Sequence, residues 1–108
     1  MTDARIAMTT VGSQEDAARI AEALVEEKLA ACVQILPAMQ SVYRWEGKIQ
    51  KQCEWLLLIK TVAGRIAALQ RRVGEMHPYD LPEFVVVEVT EGSQPYLEWL
   101  AVATTLLS

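Results

Sequence analysis

His77 is the only histidine in the sequence, and two prolines restrain the segment that carries it, Met76-His77-Pro78-Tyr79-Asp80-Leu81-Pro82-Glu83. A neutral imidazole ligates copper or zinc, or serves as a base near neutral pH. One imidazole does not make a metal site, so His77 needs partners that the fold brings to it. Glu83, six residues on, is the best candidate, with Tyr79 and Asp80 close by. An adjacent subunit is a further source of ligands. The competing reading is structural: His77 and Tyr79 brace the loop through hydrogen bonds.

The other reactive side chains form no catalytic constellation. Cys32 and Cys53 have no Cys-x-x-Cys or Cys-x-x-His neighbour, so they do not read as a zinc or redox pair. No Ser-His-Asp order, phosphate-cradling glycine loop or zinc-protease helix occurs. The expected function is therefore not enzymatic. Glu26 and Glu27 are adjacent on a helix and read as solvated. Lys60 and Arg65 read as surface charge, with an anion contact as the alternative. Trp45, Trp55 and Trp99 read as packing anchors.

A chain of 108 residues, 52% hydrophobic and 22% charged, suits one globular domain spanning residues 1–108. The formal net charge of −4 argues against nucleic acid or an anionic membrane as partner, since both need a basic face. No apolar run approaches the roughly 20 residues that span a bilayer. The start Met1-Thr2-Asp3-Ala4-Arg5 lacks a basic stretch followed by an apolar core. With two cysteines expected to be reduced, the expected location is the cytoplasm.

The elements that must position His77 follow from periodicity. Ile6 to Val11 reads as a short strand closed by Gly12, and Ser13 caps a helix with Asp16 three residues on. Ala17, Ile20, Ala21, Leu24 and Lys28 recur at helical spacing, which predicts a helix over Gln14 to Ala30. From Cys32 to Trp45 the residues are strand formers, with Pro37 marking a bulge or a sheet edge. Trp45-Glu46-Gly47-Lys48 reads as a two-residue turn. The return strand places Ile49, Lys51, Cys53, Trp55, Leu57 and Ile59 on one face and Gln50, Gln52 and Glu54 on the other, half exposed near the turn and buried at its far end. Thr61 is a plausible cap for a second helix carrying Ile66, Leu69, Val73 and Met76. Phe84 to Val89 reads as a buried strand. Pro95 opens a last helix carrying Tyr96, Trp99, Leu100, Ala103 and Leu107. The order βαββαβ plus a C-terminal helix is the α+β, ferredoxin-like plan.

The long hairpin is the unusual part. A return strand of about 14 residues at about 3.3 Å each spans on the order of 45 Å, against a diameter near 35 Å for a compact body of this length. It is expected to project and to pair with a neighbouring subunit, which covers its open edges and aromatic surface. The alternative is a twisted hairpin folded over its own sheet. Opposed residues sum to 93 across the turn, which sets Cys53 near Gln40 and Cys32 near Thr61. No disulfide is expected within one chain, and both thiols read as small core groups.

Five segments in this order, Glu27-Lys28-Leu29-Ala30-Ala31-Cys32, Ser41 to Ile49, Leu58-Ile59-Lys60-Thr61, His77 to Glu83 and Tyr96-Leu97-Glu98-Trp99, resemble the CutA divalent-cation tolerance family over nearly the whole chain. The resemblance implies a homotrimer of ferredoxin-like subunits joined by their long hairpins, an architecture similar to the PII signalling proteins. It also implies a role in tolerance to divalent metal ions, copper above all, with no required cofactor. Carried over position by position, the family's copper ligands meet Thr9 where a cysteine can sit and Met76 where some members have histidine, while Glu83 keeps the glutamate. The implied metal set is His77, Glu83 and Met76, with weak binding. The alternative is a PII-like trimer that takes a small anion or nucleotide in a cleft between subunits.

Overall fold

The structure, a computed structural model, describes residues 2–106. The elements run β1 (Ala4–Val11), α1 (Gln14–Glu26), β2 (Cys32–Trp45), β3 (Lys48–Val62), a 3-10 turn (Ala63–Arg65), α2 (Ile66–Met76), β4 (Val85–Glu88) and α3 (Gln94–Ala103). The strands form one sheet in the order β2-β3-β1-β4, with every neighbouring pair antiparallel. This is the expected split βαβ order.

Strand alternation decides which helix covers which face. Ala7 and Val11 of β1 share a face with Leu57 and Ile59 of β3, and there Ile20 and Leu24 of α1 meet Leu69 and Val73 of α2. Ala4 and Val62, partners in register, point the other way and pack with Leu97 and Leu100 of α3. Fully burying a Leu or Ile side chain contributes about 1.5–3 kcal/mol, so the α1–α2 face carries most of the stability. The last helix begins with Pro95 in its first turn, as expected; Leu107, assigned to it from spacing, lies outside the described residues.

Several expectations are corrected. The first helix stops at Glu26, not Ala30: Lys28 takes φ 61°, and the Leu29 and Ala30 amides both turn back to the Leu24 carbonyl, at 2.9 and 3.1 Å. That reversal drops Leu29 into the core. Thr61 caps no helix, because β3 runs on to pair Val62 with Ala4; its hydroxyl donates to the Leu29 carbonyl at 2.7 Å. The fourth strand is short and exposed, since it is an edge strand with β1 as its one neighbour. Both thiols are free, but Cys32 is half-buried and Cys53 exposed, so neither is a core group.

The hairpin has the predicted turn, with φ 50° at Glu46 and 78° at Gly47, the geometry that suits two-residue connections. Gln40 faces Cys53 as expected, but Cys32 faces Lys60 rather than Thr61. The cause is a bulge between Leu36 and Met39, where Pro37 and Ala38 give β2 one extra residue. Pairing between β1 and β3 ends at Val11 and Trp55. From Met39 and Glu54 to Trp45 and Lys48 the two long strands pair only with each other. They extend as an arm, and the molecule measures 45 × 28 × 23 Å.

Candidate functional site

The site lies at the root of that arm, against the loop that follows α2. Pro78 pushes the residue before it out of helical geometry, and His77 accordingly has φ −74° and ψ 135°. Its amide still donates to the Val73 carbonyl at 2.9 Å, so the helix end fixes the ring. The ring is buried, 8% exposed. Its Nδ1 accepts from the Tyr79 amide at 3.1 Å. A nitrogen that accepts carries no proton, so Nε2 holds the proton and donates to the Thr10 carbonyl at 2.8 Å. Both nitrogens of His77 are occupied in bracing the loop.

Bracing the loop aims Tyr79 at the arm. The Tyr79 hydroxyl donates to Glu54 Oε2 at 2.8 Å and accepts from Gln52 Nε2 at 3.1 Å. Gln52 Oε1 in turn accepts from the Tyr43 hydroxyl at 2.7 Å. Gly12, which ends β1, lets the hydroxyl approach: a Cβ there would lie 3.2 Å from it. Burial raises the pKa of Tyr79 far above its usual value, and the hydrogen bond to Glu54 and the charge of Glu54 add to the rise. Tyr79 is therefore a donor over the whole physiological range.

The network walls a cleft of about 410 Å³ whose lining includes Tyr43, Trp45, Glu54, Tyr79, Asp80, Leu81 and Glu83. No lysine, arginine or histidine lines it. Glu54 is 5% exposed. Solvent reaches Glu83, yet partial burial of its carboxyl raises its pKa, with the charge of Glu54 as the second cause. Among the described residues, no salt bridge involves Glu54, Asp80 or Glu83. An acidic cleft without a basic partner is suited to a cation.

Of the implied metal set His77, Glu83 and Met76, Glu83 alone lines the cleft, beside Tyr79 and Asp80, which the sequence places near it. The Met76 side chain packs against the core, and its carbonyl accepts from Arg19 at 3.0 Å. Among the described residues, no group of three or more His, Cys, Asp or Glu is placed to hold a metal ion. Sequence reasoning missed Glu54. The available signal was its position on β3, on the face that turns apolar at Leu56 and Leu58. The strand reads as half exposed near the turn without saying which face is covered, and Tyr79 of the loop covers the polar face at Gln52 and Glu54; on the opposite face Ile49 is 58% exposed.

A four-stranded antiparallel sheet with three helices, and a cleft where a β-arm meets a proline-bracketed loop, define an α+β protein of split βαβ type. The family model described as CutA1 divalent ion tolerance protein matches residues 5–103, and the chain belongs to that family. The divalent-cation tolerance protein CutA of Thermus thermophilus is 47% identical over 95 residues, covering 88% of this chain and 92% of its own. The chloroplastic protein CutA of Arabidopsis thaliana is 44% identical over 99 residues, which cover 92% of this chain. The chain spans only about half of that plant relative, 54% of its length. The crystal structure of CutA from Xylella fastidiosa aligns with a TM-score of 0.94 at 40% identity, covering 96% of this chain and all of the other. No helix among the described residues is long and apolar enough to cross a membrane.

Proposed function

We propose that the chain is a non-enzymatic cytoplasmic homotrimer of divalent-cation tolerance that takes a divalent metal ion, copper above all, weakly in the acidic cleft. One observation supports this most directly: Glu54 and Glu83 share the cleft with no basic side chain. A cation between them relieves the mutual repulsion of two partly desolvated carboxylates. Glu83 is the ligand that already faces the cleft. His77 joins it only by releasing the Tyr79 amide or the Thr10 carbonyl, and Met76 only by leaving its core contact. That rearrangement keeps affinity low. The trimer rests on the family and on the outer face of the arm, where Val42 and Ile49 are each 58% exposed. The acidic lining argues against an anion or nucleotide in the same cleft, so millimolar nucleotide is expected to leave the thermal midpoint unchanged.

Calorimetry with Cu(I) and Cu(II), on the wild type, His77→Ala and Glu83→Gln, tests the metal reading. Weak saturable binding that Glu83→Gln abolishes is the expected result. Identical flat isotherms for all three proteins remove the metal ion from the proposal.

A further inference from the structure

The cleft is larger and more aromatic than a bare ion requires. Glu54, 5% exposed, accepts from Tyr79 through Oε2, while its Oε1 receives no hydrogen bond among the described residues. Among the described residues Thr9 Oγ1 is the one sealed side-chain atom without a partner, so the free Glu54 oxygen stays open in the cleft lining, where a cation brought from outside reaches it. The volume of about 410 Å³ greatly exceeds the roughly 30 Å³ of one water. It falls within the roughly 300–1,000 Å³ of sites that hold small organic ligands. Tyr43, Trp45 and Leu81 supply apolar lining, and aromatic faces attract organic cations. A metal ion makes no use of that lining.

We infer that the cleft is a site for a small organic ammonium ion with an apolar body, its head at Glu54 and Glu83 and its body against Tyr43, Trp45 and Leu81. This rests on the reading of the cleft as a cation site and names a different class of cation for it. An ammonium group donates up to three hydrogen bonds, enough to engage the open Glu54 oxygen and Glu83 together. The hydroxyl of Tyr79, committed to Glu54, holds that carboxylate in place for the ligand.

The test titrates the native full-length protein with 2-phenylethylammonium chloride, with neutral 2-phenylethanol as the matched control, followed by calorimetry and by tryptophan fluorescence. Saturable binding of the amine is expected, with the alcohol at least about tenfold weaker, as the loss of a hydrogen bond to a charged group implies. Glu54→Gln and Trp45→Ala should each weaken the amine by a similar factor. Trp45 stands near the tip of the arm, outside the core, so its variant decides the matter if Glu54→Gln does not fold. Equal binding of amine and alcohol overturns the inference, as does an absence of amine binding at about 20 mM. Amine affinity untouched by either variant also overturns it. Copper binding without amine binding sinks this inference and leaves the proposed metal function standing; amine binding without copper binding does the reverse.

Discussion

Tyr79 joins three segments through one oxygen, since it donates to Glu54, accepts from Gln52 and lies over Gly12. Tyr79→Phe keeps the ring and removes only the hydroxyl, leaving Glu54 buried without its donor. The expected cost is about 1–3 kcal/mol, read by urea denaturation; an unchanged midpoint would mean that water already satisfies Glu54. Glu83 gives a prediction in pH. Its folded pKa is raised, by burial first and then by Glu54, so the folded state holds this proton more tightly than the unfolded chain does. The sign follows: ionised Glu83 works against folding at neutral pH, and the penalty disappears as pH falls through the folded pKa towards about 4.3. Thermal melts should therefore show Glu83→Gln above the wild type at pH 7 and level with it near pH 4. A gap independent of pH would contradict the assignment. Part of this site was legible in residue types: a lone histidine ahead of Pro78 and Pro82 left bracing of the loop and metal ligation as the two readings, and the hydrogen bonds of His77 are those of bracing. Glu54 was not, because alternation on a strand tells which residues share a face and not what later covers that face.

At the scale of elements, the hairpin was the most legible part and its root the least. Turn chemistry and strand-forming composition fixed the arm, since Glu-Gly between alternating strands leaves few other connections. Gly47, at φ 78° with open space around its Cα, meets no steric obstacle, only backbone strain. Gly47→Ala should therefore cost about 1–2 kcal/mol in a denaturant melt, with the cleft unaffected; a neutral result would mean that the turn relaxes to another type. Pro37 signalled the bulge, but the sequence does not say that it lies across from Trp55, where β1 stops pairing. The misplaced end of α1 and the unused cap at Thr61 have one cause. Tertiary pairing pulled Leu29 and Thr61 together through a 2.7 Å hydrogen bond, and local helix signals gave way to it.

For the whole molecule, strand register divides the arm into two faces with separate roles. Tyr43, Gln52 and Glu54 look towards the loop and line the cleft, whereas Val42 opposes Lys51 and Arg44 opposes Ile49 on the other side. The outer side is thus apolar at Val42 and Ile49, both 58% exposed, and basic at Arg44 and Lys51. Exposed apolar residues on an unpaired two-stranded arm are the surface a neighbouring subunit would cover. Val42→Lys combined with Ile49→Lys removes that apolar surface without touching the core or the cleft. Native mass spectrometry at micromolar concentration should show the wild type as a trimer and the double variant as smaller species, with unchanged far-UV circular dichroism. An unchanged mass would mean that assembly does not use the arm's outer face, and a monomeric wild type would sink the trimer itself. The same variant also separates assembly from binding. Because the substitutions face away from Glu54 and Glu83, a dissociated protein that keeps its cation affinity has a cleft complete within one chain, whereas loss of both together would show that a neighbour supplies part of the wall.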